Sequence, residues 1–192
     1  RRLERLADTA AVRSTVRARP AVDKARDAKL LAFAYTLTGE REYAEQAATV
    51  LTRLRGPAQG GNWRSLDDMV QGAADLALSY DLLAPQLRAR EALEAKTRLA
   101  LFELGDELYR SRYSWPSAGG HTRDIRQYAA LGLCALSISD YPPPPGKSCP
   151  TAWYRRARER LIERLDEQTC RDGAYAEGPG RQLEAAQLYL SF

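Results

Sequence analysis

Two loops of this sequence carry residues whose types suit proton transfer. The first loop, residues 118–123, reads Ala-Gly-Gly-His-Thr-Arg and contains His121, the single histidine of the chain. The second, residues 172–179, reads Asp-Gly-Ala-Tyr-Ala-Glu-Gly-Pro and offers Tyr175 and Glu177. A neutral imidazole can accept a proton near neutral pH, and so can a tyrosinate whose pKa nearby cations lower. We therefore expect general acid–base chemistry if the two loops form one shallow site.

Each of these residues also has a purely structural interpretation. His121 follows two glycines and can bond to the backbone where a helix begins, and an ordinary histidine pKa of about 6.5 suits either role. The ring of Tyr175 can pack over a neighbouring helix. Glu177 can complement the dipole of the helix that follows it. The functional interpretation therefore depends on the two loops lying on the same side of the fold.

Length and composition indicate one globular domain over residues 1–192. Of these residues 44% are hydrophobic, which is enough to bury a core without disulfides or a metal. No apolar run approaches the roughly 18 residues that a membrane-spanning helix requires. The formal charge of +4 comes from 29 Lys and Arg against 25 Asp and Glu, and the two signs are interleaved, without a basic stripe. We expect binding neither to nucleic acid nor to a membrane.

The three cysteines do not form a metal-binding pattern. They lack the paired spacing of a zinc site, and we expect neither a metal nor a cofactor. Cys134 falls on the apolar face of a helix, which indicates the core. Cys149 and Cys170 flank one helix, whose length separates its ends too far for a disulfide unless the loop folds back along it. Whether these two are bridged is left open by the sequence.

The hydrophobic periodicity is helical along nearly the whole chain. Apolar residues recur with a period near 3.6, and no segment alternates with a period of two. We expect Gly39 and Pro85 to end helices, residues 86–112 to form the longest helix, and Gly105 to be a tolerated weak point in it. The predicted helices span residues 3–18, 21–37, 40–54, 65–85, 86–112, 123–138, 151–170 and 180 to the end.

Short loops between these helices predict antiparallel hairpins, in which alternate loops share a side. Residues 56–64 contain Gly, Asn, Trp and Arg, and residues 113–120 contain Gly and Trp. Residues 141–147 contain four consecutive prolines and should form a stiff connector on the opposite side. The sequence thus predicts an all-α fold of about four hairpins, with its polar and aromatic loops on one rim.

Four short motifs, taken in order, resemble the toroid domain of the heparinase II/III and alginate lyase superfamily. The resemblance covers about residues 28–187. It implies an incomplete (α/α) toroid of antiparallel helical hairpins, in a secreted or periplasmic protein. It also implies a C-terminal β-sandwich domain that we expect to be missing, so that the chain is a fragment. The motifs are LAFAYTLTGE at 31–40 with Tyr43-Ala44, ALSYDLL at 77–83, Gly120-His121 with AALGL at 129–133, and DGAYAEGP at 172–179.

The resemblance implies β-elimination on a uronate-containing polysaccharide such as alginate or a glycosaminoglycan. The proton at C5 of a uronate is too weakly acidic to leave unless the adjacent carboxylate is neutralised by amide, imidazolium or guanidinium donors. A base must take that proton, and an acid must protonate the leaving oxygen. An indole face can serve as a platform for the sugar ring. The sequence offers residues for each of these tasks.

The site residues follow from this chemistry. Two details differ from similar enzymes, which commonly have asparagine near the loop histidine, where Gly119 and Gly120 stand here, and tyrosine at the position of Arg181. The expected catalytic residues are His121, Tyr175 and Arg123, and the expected substrate-binding residues are Asn62, Trp63, Arg64, Trp115, Glu177 and Arg181.

Two other functions fit the same residues. An (α/α) toroid glycoside hydrolase needs two carboxylates across the sugar, which Glu177 with Asp67 or Asp68 would supply. A non-catalytic scaffold would bind glycans at the rim without turnover. In that case the tryptophans seal hairpins and the arginines form surface ion pairs. An unsaturated product would distinguish a lyase from both alternatives.

Overall fold

The computed structural model describes residues 5–10, 19–111 and 121–168. Helices and their connections account for these residues, with no strand among them, so the prediction of an all-α fold is confirmed for this part of the chain. Residues 5–10 are helical. The longer helices are α1 (Ala21–Thr38), α2 (Arg41–Thr52), α3 (Leu66–Arg88), α4 (Glu91–Arg110), α5 (His121–Ser137) and α6 (Pro150–Gln168), with a 3₁₀ turn at Pro57–Gln59.

The helices pack in two layers. In the first layer α3 lies between α1 and α5, and in the second layer α4 lies between α2 and α6. Each helix of the first layer also packs against the helix that follows it. This is the arrangement of consecutive antiparallel hairpins stacked side by side. The first turns of α1, α3 and α5 therefore lie at one end of the layer, which we call the N-terminal rim.

Two hydrogen bonds fix the register of the first layer. The backbone N–H of Ala21, where α1 begins, donates to the carbonyl of Asn62 just before α3, at 3.0 Å. In the second turns of α5 and α3, the guanidinium of Arg126 donates to the side-chain oxygen of Gln71 at 3.1 Å. Both bonds join residues at similar depths in neighbouring helices. The three helices consequently run parallel, with their N-termini nearly level.

Local signals set several helix ends as predicted. Gly39 ends α1 in the left-handed conformation, with φ of 74°, and its N–H donates to the carbonyl of Tyr35 at 2.8 Å. A residue without a Cβ adopts this conformation at little cost. Ser65 precedes α3, and its hydroxyl accepts the backbone N–H of Asp68 at 3.1 Å. The glycine stop is confirmed, and Ser65 caps the helix that was predicted to begin at that position.

The expectation that Pro85 ends its helix is wrong, and so is the prediction that the longest helix spans residues 86–112. Helix α3 continues to Arg88 with Pro85 inside it, and it is the longest helix of the described residues. A proline removes one backbone hydrogen bond. Leu83 and Leu87, on either side of Pro85, are both buried, and burying two leucine side chains outweighs that loss. Helix α4 therefore begins later, at Glu91.

Gly105 is a packing requirement of α4, where we expected only a tolerated weak point. Trp153 of α6 is fully buried, and a Cβ added at Gly105 would lie 2.3 Å from its ring. The Trp153 ring also lies against that of Phe102, with 5.1 Å between the ring centroids. Since atoms cannot approach so closely, only glycine lets the indole pack against α4.

Most of the predicted core is buried, including the thiol of Cys134. Burial raises the pKa of this thiol to about 12, as expected for a cysteine that only packs. Leu136 follows the apolar period of α5, but it is 48% exposed. It lies on a face of α5 that the other described residues leave open, as do Phe33 and Leu37 on α1, which are exposed too. Helical periodicity shows that a face is apolar, but another element must be present to cover it.

The proline-rich connector between α5 and α6 has no regular secondary structure over residues 141–144 and then turns, with the N–H of Lys147 donating to the carbonyl of Pro144 at 3.1 Å. Its Tyr141 ring lies against Phe102, with 5.1 Å between the centroids, and the Lys147 ammonium pairs with Asp106 at 2.7 Å. The connector follows the C-terminal end of α5 and so lies away from the N-terminal rim. The nearby thiol of Cys149 is free, and Cys170 lies outside the described residues.

Candidate functional site

The N-terminal rim holds a polar cleft, which we call the rim cleft. Its volume is about 440 Å³, and residues of α1, α3 and α5 contribute to its walls. Because the three first turns are level, side chains from separate helices converge there. The charged and amide side chains that line the rim cleft belong to Asp23, Arg26, Arg64, Asp67, Asp68, Gln71 and Arg126.

The three guanidinium groups of the rim cleft form no ion pair with the carboxylates that the structure describes. Among the contacts of the described residues, Arg26 and Arg64 form no ion pair, and Arg126 bonds to the neutral amide of Gln71. Unpaired guanidinium groups in a concave site are suited to bind a carboxylate or a sulfate, with two parallel hydrogen bonds each. The rim cleft is therefore a candidate anion-binding site.

Some arginines elsewhere in the described chain differ from those of the rim cleft because they pair with carboxylates. Three of them form ion pairs with N to O distances of 2.6 to 2.9 Å. Such pairing holds the side chain and cancels its charge, which removes it as a ligand for an external anion. These pairs are Arg98 with Asp140, Arg110 with Asp106, and Arg164 with Asp124.

The carboxylates of the rim cleft that have described contacts are engaged within the protein. Asp68 accepts the backbone N–H of Arg64 at 3.2 Å, while its own N–H donates to Ser65. This reciprocal bonding closes the first turn of α3. Asp23 lies 3.9 Å from the guanidinium of Arg19. Asp68, at least, serves as part of a helix cap.

A buried ion pair lies one turn deeper in the first layer. Asp75 of α3 is 1% exposed and pairs with the ammonium of Lys29 from α1. Its Oδ1 also accepts the side-chain N–H of Gln71 at 3.1 Å, whereas its Oδ2 has no hydrogen-bond partner. Since a buried carboxylate needs its counter-ion, this pair ties α1 to α3 directly beneath the rim cleft.

Lys29→Met is expected to lower the free energy of unfolding by about 3 kcal/mol, because it leaves the buried carboxylate of Asp75 uncompensated. The double variant Lys29→Met/Asp75→Leu should recover most of that loss, since an apolar pair of similar size replaces the ion pair. Urea unfolding followed by circular dichroism measures both. Arg26→Met, one turn earlier on the same helix and unpaired, is the matched control and should cost less than about 0.5 kcal/mol. Equal effects of Lys29→Met and Arg26→Met would contradict the importance of the pair.

Trp63 holds the loop that leads into α3. Its indole N–H donates to the carbonyl of Arg55 at 3.0 Å, and its ring lies against Gly72, where an added Cβ would be 2.2 Å away. These contacts are the ones that the structural interpretation of Trp63 requires. They also fix the neighbouring Asn62 and Arg64, both exposed at the rim.

The structure brings part of the expected site together. Asn62 and Arg64 precede α3, and α5 begins at His121, so the backbone of His121 and Arg123 lies on the same rim. The side chains of these two α5 residues are not described. The remaining expected site residues lie outside the described residues and are Trp115, Tyr175, Glu177 and Arg181.

Sequence reasoning missed Arg26, Gln71 and Arg126 as residues of the cleft. Each lies on the polar face of a helix within two turns of its N-terminus, where a polar residue is ordinarily solvent-exposed surface. The available signal is their similar position in alternate helices. It becomes informative only when those helices are known to be adjacent and parallel, with this face uncovered.

A second, larger cleft of about 680 Å³ lies between α4 and the connector. Its Arg98 is paired with Asp140 at 2.7 Å and lies over the ring of Tyr141, 5.5 Å from the centroid. Because this cation is already neutralised, the second cleft is less suited to an anionic ligand than the rim cleft. Its contacts instead hold the connector onto α4.

The described residues contain neither a cluster suited to a metal ion nor a helix suited to span a membrane. Within residues 5–10, 19–111 and 121–168, no group of three or more His, Cys, Asp or Glu residues is placed to hold a metal ion. None of the helices in those ranges is both long and apolar enough to cross a membrane.

Comparison with protein-family models, with curated proteins and with solved structures gives no match. The site must therefore be interpreted from its own chemistry.

Proposed function

We propose that the chain belongs to the helical toroid of a polysaccharide lyase that cleaves a uronate-containing acidic glycan by β-elimination. The supporting observation is the rim cleft, in which Arg26, Arg64 and Arg126 converge from three helices and form no ion pair with a carboxylate of the described residues. The two-layered stack of hairpins is a geometry that a toroid would continue. The proposal includes a secreted or periplasmic location and a C-terminal β-sandwich partner domain.

The arginines of the rim cleft suit the first requirement of β-elimination. Removing the C5 proton of a uronate places negative charge on its carboxylate, and donors fixed in advance stabilise that charge most effectively. The backbone of Arg64 is anchored beside the N-cap of α3, and the guanidinium of Arg126 is held by Gln71. In the proposal these guanidinium groups neutralise the substrate carboxylate, together with Arg123 of the same rim.

Proton transfer is assigned to His121 and Tyr175. The backbone of His121 opens α5 on the rim, and the positive end of a helix dipole in general disfavours a further positive charge beside it. A neutral imidazole is the form that accepts a proton. Tyr175 is assigned from its Asp-Gly-Ala-Tyr turn, the best match to the family, as the partner that protonates the leaving oxygen.

The reaction type can be tested by incubating the protein with alginate, heparin and a neutral polysaccharide. β-Elimination produces an unsaturated uronate that absorbs in the near ultraviolet, so absorbance should rise with one of the acidic polymers and stay flat with the neutral one. New reducing ends without this absorbance would show a hydrolase instead. Binding of an acidic polymer without either product would show a non-catalytic glycan-binding scaffold.

Arg64→Ala is expected to weaken the binding of an alginate oligosaccharide by about 10- to 100-fold, the usual range for a hydrogen bond to a charged group. Isothermal titration calorimetry measures the affinity. Arg88→Ala is the matched control, because Arg88 is an exposed arginine at the opposite end of the same helix. If both variants bind as tightly as the wild type, the rim cleft does not contact the substrate carboxylate.

A further inference from the structure

Arg126 is held in the rim cleft by an amide. Its Nη2 donates to Oε1 of Gln71 at 3.1 Å, and Nε2 of Gln71 donates to Oδ1 of Asp75 at 3.1 Å. Asp75 is buried and pairs with Lys29. One chain of polar contacts thus runs from α1 through α3 to α5, and it ends at a guanidinium in the cleft.

The partners of Gln71 fix the orientation of its amide. The carboxylate of Asp75 can only accept hydrogen bonds, so the NH₂ group must face it. The guanidinium of Arg126 can only donate, so the carbonyl oxygen must face it. Turning the amide over would place donor against donor and acceptor against acceptor. The ion pair of Lys29 and Asp75 therefore determines which end of Gln71 reaches the cleft.

A neutral partner holds Arg126 without cancelling its charge. Several other arginines held at comparable distances contact carboxylates, as Arg98 and Arg164 do, whereas Arg156 donates to the backbone carbonyl of Tyr109 at 2.7 Å. A glutamate at position 71 would pair with Arg126 more strongly, but it would neutralise the guanidinium and repel Asp75. Glutamine is thus the residue that fixes the cation and still leaves its charge and its remaining N–H groups to a ligand.

We propose that Gln71 is a positioning residue that presents the Arg126 guanidinium to a carboxylate of the bound glycan, with Lys29 and Asp75 holding Gln71 in place. The inference rests on the proposed function for the identity of the anion. It adds a role for Gln71, Asp75 and Lys29, which the sequence analysis did not assign to the site. The rim cleft then selects an anionic sugar through Arg126, whose orientation is set by Gln71.

The test compares Gln71→Glu with Gln46→Glu. Gln46 of α2 donates to Glu42 at 3.1 Å, far from the rim cleft, so both variants change the net charge by the same amount. Gln71→Glu should weaken the binding of an alginate trisaccharide by about 10- to 100-fold, with a smaller dependence on salt concentration, while Gln46→Glu should leave both unchanged. Unfolding curves of each variant establish that affinity is compared between folded proteins.

Rotation about the Nε–Cζ bond of Arg126 gives a readout that needs no sugar. Nuclear magnetic resonance of the arginine side-chain nitrogens should show slow rotation in the wild type, because Nη2 is bonded, and faster rotation in Gln71→Met, which keeps the chain length and removes both hydrogen bonds. Titration with sodium sulfate, an anion without a sugar, should shift the Arg126 signals of the wild type and leave those of Gln71→Glu nearly unchanged.

These outcomes separate the inference from the proposed function. Binding of trisaccharide or sulfate that depends on Gln71, without production of unsaturated uronate, would support the inference and contradict the lyase. Lyase activity with equal affinities for the wild type and Gln71→Glu would overturn the inference alone. Unchanged Arg126 rotation in Gln71→Met, or no binding of either anion by the wild type, would also overturn it.

Discussion

Tyr175→Phe is expected to reduce turnover of a uronate polymer by about 10²- to 10⁴-fold, the usual contribution of a general acid or base. The substitution removes one hydroxyl and keeps the ring, so binding of the polymer should change little. Initial rates from the absorbance of unsaturated uronate measure turnover, and calorimetry measures binding. The expectation follows from the proposed mechanism, in which the Tyr175 hydroxyl transfers a proton to the leaving oxygen.

The matched control is Tyr154→Phe, which removes the hydroxyl of an exposed tyrosine on α6. It should leave turnover within about twofold of the wild type, since surface changes away from a site have small effects. If Tyr175→Phe keeps nearly full activity, another group donates the proton, and Tyr113 and Tyr189 are the next to test. The residue-by-residue transfer from the lyase family would then be wrong even with β-elimination confirmed.

Trp153→Ala is expected to lower the free energy of unfolding by about 3 to 5 kcal/mol, the range for removing a large buried aromatic side chain. Trp153 is fully buried and joins α6 to α4 through Phe102 and Gly105. Removing the indole leaves a cavity at the contact between the two helices. Urea unfolding provides the measurement, and Ile162→Ala, on an exposed position of the same helix, should cost less than about 1 kcal/mol.

Because Gly105 lies against the ring of Trp153, the effects of substitutions at these two positions should depend on each other. In the wild type, Gly105→Ala should destabilise the protein, because the overpacking cost of about 1 to 3 kcal/mol exceeds the gain in helix propensity of about 1 kcal/mol. In the Trp153→Ala background the cavity accommodates the methyl group, so only the propensity gain remains and the sign should reverse. A Gly105→Ala effect that is the same in both backgrounds would show that the indole does not require the glycine.

Local chemistry made much of the secondary structure predictable. Gly39 ends α1 and Ser65 begins α3 because a left-handed glycine and a hydroxyl cap act on the nearest turn alone. The apolar period likewise identified buried residues such as Leu31 and Leu101. The local signal failed at Pro85. A proline costs one backbone hydrogen bond, but the burial of Leu83 and Leu87 outweighs this cost, and that burial depends on packing against another helix.

The loops 62–64 and 118–123 were recognised from their residue types, and their shared rim was predicted from the alternation of hairpins. The backbone positions of Asn62, Arg64 and His121 agree with that prediction. Residue types alone also suggested a sugar platform at Trp63, whereas its contacts with Arg55 and Gly72 are those of a loop anchor. An indole suits either role equally well, so only its neighbours could decide.

Local sequence signals predict that the described residues are helical, where most of their helices begin and end, and which loops carry reactive side chains. Only the packing of the helices shows that Arg26, Gln71 and Arg126 meet at one cleft, that Lys29 pairs with Asp75, and which apolar faces stay open among the described residues. Helix formation depends on interactions within a few residues, which a single sequence displays. A cleft depends on side chains from helices that are far apart in the chain. Whether a charge in the cleft is paired depends on which side chains the packing places beside it.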